Sequence, residues 1–266
     1  MKKKSFKKPE LSVEDLSHAL YESNIKLTNT IQERNEIYAN ISHDLRSPIT
    51  AIRSSIEYLQ SLENPSKEEL SSALNLMSER SLVLEKMIND IFLLTKMDFS
   101  TYNLNFVSIP IIPFLEDIFF SYDEDPKYSD RKLILDVDDS FEATVSIDVD
   151  NMKRVLDNLF NNALKFSTSG DSITLSAKPS AEGDQVLISI ADSGIGISKE
   201  NLENVFNRSF RVSDARTPNA HQGAGLGLSI CKSIVEKHNG TIWCCSEGQD
   251  KGSTFIISLP TEKAGG

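Results

Sequence analysis

Apolar residues at Ile41, Leu45, Ile49, Ile52, Ile56 and Leu59 recur at intervals of four, four, three, four and three, with polar side chains between them. That spacing predicts an amphipathic helix with a narrow seam. The stretch SLENPSKEE (61–69) reads as a turn followed by a new helix start. The pattern then resumes at Leu74, Met77, Ser81, Leu84, Ile88 and Ile91. Two such helices make a hairpin that cannot cover both of its apolar faces well within one chain. Pairing with a second copy into a four-helix bundle is the economical solution. Leu27, Ile31 and Tyr38 carry the first helix back toward residue 12 as a coiled coil. Residues 1–100 contain no glycine, and proline only at positions 9, 48 and 65, so little interrupts the helical pattern.

Past KMDFSTYN (96–103) the period shortens. Strand-like runs appear at LNFVSI (104–109), KLILDV (132–137), ATVSID (143–148), SITLSAK (172–178), QVLISIAD (185–192), GTIWCCS (240–246) and STFIISLP (253–260). Helical stretches fall around 111–122, 149–167, 198–206 and 225–238. Strands mixed with helices, with hairpin-like pairs at both ends, predict an α+β sandwich rather than a purely parallel sheet. The expected division is a basic tail and linker helix over 1–29, an all-α helical unit over 30–98, the α+β unit over 103–262, and a short tail over 263–266. No internal repeat is visible.

Charge narrows the possible partners. The 266 residues carry a net charge of −11 and a sequence pI of about 4.9, which argues against general nucleic-acid binding. The opening MKKKSFKK reverses that sign locally. It fits a solvated tail and a juxtamembrane stub equally well. No apolar run approaches the roughly 20 residues needed to cross a bilayer, and no signal peptide is visible. The expected location is cytoplasmic, either soluble or as the inner part of a membrane sensor whose N-terminal span is missing from this sequence. Cys231, Cys244 and Cys245 have neither zinc-site spacing nor a disulfide framework, and read as reduced, buried thiols.

Two glycine loops and one helix suggest chemistry. ADSGIGIS (191–198) follows an apolar strand, and QGAGLGLSI (222–230) opens a helix at Gly223, Gly225 and Gly227. Bare amides at a helix N-terminus form an anion seat. Neither loop is a Walker motif, and the eukaryotic protein-kinase signatures are missing. In DNMKRVLDNLFNNALKFS (150–167), Asn158, Asn162 and Lys165 form one polar stripe, with Met152, Leu156, Leu159 and Ala163 on an apolar face. Asparagine is a poor helix former, so its density there needs a reason. Magnesium supplies one, because it takes oxygen ligands and is satisfied by one or two side chains plus phosphates and water.

NLFNNALKFS, DSGIGI, VFNRSFR, GAGLGLSI and KGSTFIISLP occur in the order of the N, G1, F, G2 and final glycine boxes of sensor histidine kinases, and SHDLRSPI resembles their phosphoacceptor box. The likeness covers roughly residues 30 to 260. It implies a dimerisation and phosphotransfer hairpin forming a dimeric four-helix bundle, followed by a Bergerat-type ATP-binding sandwich. It further implies that Asp192 accepts from the adenine amino group, that Gly194 and Gly196 let the base approach, and that Thr254 supports that pocket, with Phe166 and Ile197 also against the nucleotide. Asn158 and Asn162 would hold Mg²⁺ against the phosphates, with Lys165 adding positive charge. The amides of Gly225, Leu226 and Gly227 would cradle the phosphate chain, with Gly223 before them, and Arg211 would reach the γ-phosphate. The segment 208–223 would be a lid over ATP. One departure is Ser209, where the family usually has an aromatic; Phe206 and Phe210 remain.

The same resemblance makes His43 the phosphoacceptor. On an ideal helix Ser47 lies about 40° round from His43, whereas Ile41 and Leu45 lie about 160° away, so the ring points off the seam. Pro48 has no amide to donate to the carbonyl of Asp44, which loosens the helix beside the ring. In the family's roles Asp44 fixes the tautomer of His43, and a hydroxyl or amide at the place of Ser47 serves the reverse, phosphatase activity. ATP, Mg²⁺, a second copy of the chain and a response-regulator receiver domain with an acceptor aspartate are the implied cofactors and partners. Receiver docking is expected near residues 47–60 and 80–95. His18, His221 and His238 read as surface residues. Two other readings are a gyrase-like ATPase, disfavoured because Asn158 stands where a water-activating Glu is needed, and a non-catalytic scaffold, which has no use for the asparagine and glycine boxes.

Overall fold

The computed structural model describes residues 13–98, 102–138, 141–208, 210 and 225–262. Two helices, α1 (Val13–Ser61) and α2 (Lys67–Asp98), form the N-terminal hairpin. Its turn is closed by a reciprocal cap. Ser66 N–H donates to Glu69 Oε2 at 2.9 Å, and Glu69 N–H donates to Ser66 Oγ at 3.2 Å, so two otherwise orphaned amides are satisfied. The Tyr58 hydroxyl donates to Glu69 Oε1 across the turn.

The expected seam is only half used. Ile41, Leu45, Ile52, Leu59, Met77, Leu84 and Ile91 are half-buried, but Ile49, Ile56, Leu74 and Ile88 remain between 41% and 58% exposed. The buried positions of the hairpin, among them Ser55, Ala73, Met87 and Leu94, are neighbours of that seam rather than members of it. A two-helix contact covers one side of the apolar stripe, and the other side stays open. An open groove of about 640 Å³ between the helices is lined in part by Ala51, Ser55, Tyr58, Ala73 and Leu76.

The second half comprises β1 (Val107–Pro110), α3 (Ile111–Asp123), β2 (Lys132–Val137), β3 (Thr144–Ile147), α4 (Val149–Phe166), β4 (Ser172–Pro179), β5 (Gln185–Asp192), α5 (Lys199–Leu202), α6 (Gly227–Lys237), β6 (Thr241–Cys245) and β7 (Ser253–Pro260). A five-stranded sheet runs in the order β2-β4-β5-β7-β6. Only the β2–β4 pair is parallel. β1 and β3 form a separate antiparallel pair. The architecture is therefore the expected helical hairpin followed by a mixed α+β sandwich.

Burial alternates residue by residue along β4 and β5, as a sheet covered on one face requires. Leu156, Leu159 and Phe160 of α4, Ile230 and Ile234 of α6, and Leu115 of α3 are fully buried in the core that includes Leu175, Ile188 and Ile257. Each such side chain contributes about 1.5–3 kcal/mol of transfer free energy. The helix expected over 198–206 is cut to α5. Beyond it, the Asn204 amide donates to the Glu200 carbonyl and the Asn207 amide to Asn204 Oδ1, local bonds that compete with helix propagation.

The two halves meet along α2. Asp90 accepts from Arg154 Nη2 of α4 at 2.9 Å, and Met87, Leu93, Leu94 and Met97 join the sandwich core. Burial raises the Asp90 pKa, although Arg154 and Lys86 oppose the shift.

Candidate functional site

α4 begins at a strong cap. Asp148 Oδ1 accepts from Asn151 N–H at 3.0 Å, which fixes the rotation of the helix and hence of its polar stripe. Asn158 is 8% exposed, and Asn162 and Lys165 are half-buried. The Lys165 ammonium lies over the Phe166 ring, 5.1 Å from its centroid. Asn158 faces α6: a Cβ placed on Gly227 would sit 3.3 Å from Asn158 Oδ1. The asparagine stripe and the glycine-opened helix N-terminus are thus brought together, although they are far apart in sequence.

Gly225 has φ +63° and leads into Leu226, whose side chain is 1% exposed. Leu226 is packed inward, and its carbonyl accepts from Ile230 N–H. Amide oxygens on one side and helix-terminal N–H groups on the other suit a metal-bound polyphosphate, with oxygen donors for the cation and amide donors for the anion. Among the described residues no cluster of three or more His, Cys, Asp or Glu side chains is arranged to hold a metal by itself.

In the neighbouring sheet, Asp192 is 9% exposed at the end of the central strand β5. Its Oδ1 accepts from Gly194 N–H at 2.9 Å, and its Oδ2 accepts from Ser253 Oγ at 2.5 Å. Burial raises its pKa, while these bonds work in the opposite direction. An ionised carboxylate has further acceptor sites beyond the two used here, so it can still take an amino group.

Gly194 and Gly196 have a structural necessity of their own. A Cβ on Gly194 would come 2.1 Å from the Phe166 carbonyl oxygen, and one on Gly196, at φ +68°, would come 2.1 Å from that of Gly248. Ile195 N–H donates to the same Phe166 oxygen, so this loop is sewn to the end of α4. Ile197 is half-buried, and its N–H is bound by Ser246 Oγ.

Thr254 needs correcting. The hydroxyl on Asp192 is that of Ser253, opposite it in the strand register, whereas Thr254 pairs with Ala191 and Cys245. Successive strand residues point to opposite faces, so Thr254 faces away from Asp192. Arg211, Gly223, Ser209 and nearly all of the expected lid lie outside the described residues. Phe206 packs edge-on against Phe255 of β7, and Phe210 is half-buried.

His43 stands on α1 with a side chain 78% exposed, while that of Asp44 is only 9% exposed. Its Nδ1 lies 3.4 Å from Asp44 Oδ1. Ile41 and Leu45, on the other side of the helix, are partly buried against the core, and Ser47 is exposed. α1 continues as helix through Pro48.

The other histidines and the cysteines answer to their expectations unevenly. His18 is exposed, beside Glu22, and His221 lies outside the described residues. His238 is not a surface residue: it is 2% exposed. It falls one turn after Ile234 on the buried face of α6, a signal present in the spacing of 230, 231, 234, 235 and 238. Of the three thiols, Cys231 is buried, with its pKa pushed up to about 12 by burial, but Cys245 is exposed. Sequence reasoning also missed Ser253, Ser246 and the Asp90–Arg154 pair. Asp157, beside the asparagine stripe, accepts from the Tyr122 hydroxyl of α3 and is held away from that stripe.

Comparison with known proteins bears on both halves. Residues 33–100 match the His Kinase A (phospho-acceptor) domain. Residues 147–263 match the family described as histidine kinase-, DNA gyrase B-, and HSP90-like ATPase. The chain is 38% identical over 230 residues to sensor histidine kinase WalK of Bacillus subtilis, covering 86% of this chain and 37% of that relative. It is 35% identical over 232 residues to sensor protein kinase WalK of Staphylococcus aureus, covering 87% of this chain and 54% of that one. It therefore spans well under two thirds of the curated relatives it matches. Among solved structures, Acinetobacter baumannii histidine kinase AdeS superposes with TM-score 0.63 at 22% identity, over 83% of this chain and 98% of that one. Histidine kinase ThkA in complex with response regulator protein TrrA gives TM-score 0.65 at 23% identity, over 91% of this chain and 66% of that one. These two likenesses concern the fold.

Proposed function

The chain belongs to the sensor histidine kinases, and from that premise we propose that it phosphorylates its own His43 from ATP and passes the phosphoryl group to an aspartate of a response-regulator receiver domain. The observation that carries this reading is the His43 ring, exposed on a helix whose neighbours Ile41 and Leu45 are packed inward. A group that must be reached by a nucleotide on another domain has to stand clear of the stalk.

In the proposed step the lone pair of Nε2 forms the N–P bond, and the bond from the γ-phosphorus to the bridging oxygen breaks. ADP leaves with that electron pair. Asp44, beside Nδ1, keeps the proton on that nitrogen and stabilises the positive charge that develops on the ring. Asp192 and Ser253 orient the base, with Phe166 and Ile197 bordering the same loop. The backbone amides of Gly225, Leu226 and Gly227 and the Lys165 ammonium receive phosphate charge. Gly223, Arg211 and the 208–223 lid complete the site by family analogy. Asn158 and Asn162 would hold Mg²⁺, which when bound neutralises phosphate charge and orients the chain.

ATP hydrolysis by an activated water is disfavoured. Asn158 has no basic character, and Asp157, the carboxylate beside it in sequence, is engaged by Tyr122. Ser47, one turn beyond His43, would orient water for dephosphorylation of the partner. The exposed Ile49, Ile56, Leu74 and Ile88 supply the face on which a second copy completes a four-helix bundle. The working division is a helical phosphotransfer unit over 30–98 and a nucleotide unit over 103–262. Among the described residues no helix is long and apolar enough to cross a membrane.

Incubation with ATP labelled at the γ-phosphate tests the reading. Acid-labile label is expected on the parent chain, and none on His43→Gln or Asn162→Ala. Label persisting on His43→Gln overturns the acceptor assignment. Steady ATP hydrolysis that outpaces labelling would favour the ATPase instead.

A further inference from the structure

The segment that leaves the hairpin does not simply run into the sandwich; it is fastened at one point where two helices end. Asn105 N–H donates to Asp148 Oδ2 at 2.9 Å, while Oδ1 of the same carboxylate caps α4. The backbone N–H of Asp148 in turn donates to His238 Nε2 at 2.9 Å, and His238 Nδ1 binds the Ile234 carbonyl at 2.8 Å. These two bonds define the ring as neutral, with its proton on Nδ1. Phe106 packs edge-on against the same imidazole, with ring centroids 5.1 Å apart, and Lys237 lies over Tyr102. The linker is thus joined at once to the start of α4 and to the end of α6.

Those are the helices whose other parts meet as Asn158 and Gly227. A rigid helix displaced at one end carries the displacement to the other, because its backbone bonds leave no slack. We propose that His238, through its bond to Asp148 N–H, is a positioning residue that couples the docked linker to the spacing of α4 and α6, and so to affinity for Mg–ATP. Linker docking and nucleotide binding then reinforce each other. The inference rests on the nucleotide-binding reading given above, and it adds a site of control outside the nucleotide contacts.

Burial lowers the His238 pKa, against the Ile234 carbonyl and the Asp148 carboxylate, which favour the charged ring. The neutral ring that the pin needs is therefore favoured. Burial also works to raise the Asp148 pKa. The bonds from Asn151 and Asn105 outweigh it and hold the carboxyl below its ordinary range.

The test is Mg–ATP-analogue affinity of the whole chain, measured by fluorescence titration for the parent, His238→Asn, His238→Gln and Phe106→Ala. Glutamine can present an acceptor where Nε2 stands, whereas asparagine is too short to reach Asp148 N–H. Both remove the aromatic contact with Phe106. The expected result is about fivefold weaker binding for His238→Asn, with glutamine restoring most of it. Phe106→Ala should weaken binding in the same direction, and less than additively when combined with His238→Asn. Equal affinities for the Asn and Gln variants would overturn the positioning role, as would parent-like affinity in Phe106→Ala. A parent chain that bound no nucleotide would instead overturn the nucleotide seat itself, and the pin with it.

Discussion

Leu175, Ile188 and Ile257 in the sandwich are wholly buried, whereas Ile49, Leu74 and Ile88 on the hairpin keep more than half of their surface in solvent. The sandwich closes its core with its own chain, because helices on one sheet face leave no apolar row uncovered. The hairpin has the same kind of residues but only two helices, which can cover one side of the stripe. One region is thus complete in a single copy and the other is not, and the incomplete one carries the exposed histidine.

The sharpest way to break this comparison is a core truncation. Phe160, stacked on Tyr122 and edge-on to Tyr128, should cost about 4 kcal/mol when replaced by alanine. Thermal unfolding would show it as a lower Tm of the sandwich, and an unchanged Tm would mean that this core is not closed as described.

Next in size, Ile49→Glu with Leu74→Glu should weaken self-association about 100-fold. Sedimentation should show monomers while the near-ultraviolet circular dichroism of the sandwich stays as in the parent. Association unaffected by two buried charges would place the dimer face elsewhere.

The junction comes third. Arg154→Gln leaves Asp90 buried beside α4 without its cation and should cost about 2 kcal/mol, trimmed by the partial exposure of Arg154. Asp90→Asn should cost less, because burial already disfavours that charge. The folded pKa of Asp90 is raised. Its contribution to stability is therefore fully present below the ordinary carboxylate range, near pH 4, and is lost as pH rises through the raised value. Urea melts between pH 4 and 7 should show this slope in the parent and not in Asp90→Asn.

Smallest is Ser66→Ala, which removes one half of the turn cap and should cost about 1 kcal/mol. Hydrogen exchange should show faster opening at the start of α2, with the sandwich amides unchanged.

Strand positions were legible because alternation and turn chemistry are local: the runs at 132–137 and 185–192 coincide with β2 and β5. The asparagine stripe and glycine loops were legible for the same reason, each being a spacing on one element. Ser253 was missed in favour of its neighbour, although the alternation with Phe255 and Ile257 already put it on the buried face with Asp192. His238 was read as a surface residue, when its phase with Ile230 and Ile234 made it an interior one. The Asp90–Arg154 pair had no sequence signal, since nothing in a spacing says which faces of two distant helices will touch. The short α5 shows local asparagine bonds winning over a helical pattern.

α1 runs unbroken from Val13 to Ser61, so the His43 ring stands about 45 Å along a stiff rod from its first described turn. Such a rod transmits torque as well as thrust. Inserting one residue in its upstream stretch would swing whatever is attached there by about 100° relative to His43, whereas inserting seven would restore the phase to within about 20°. The angular bearing of any upstream attachment is thereby set by residue count, in steps.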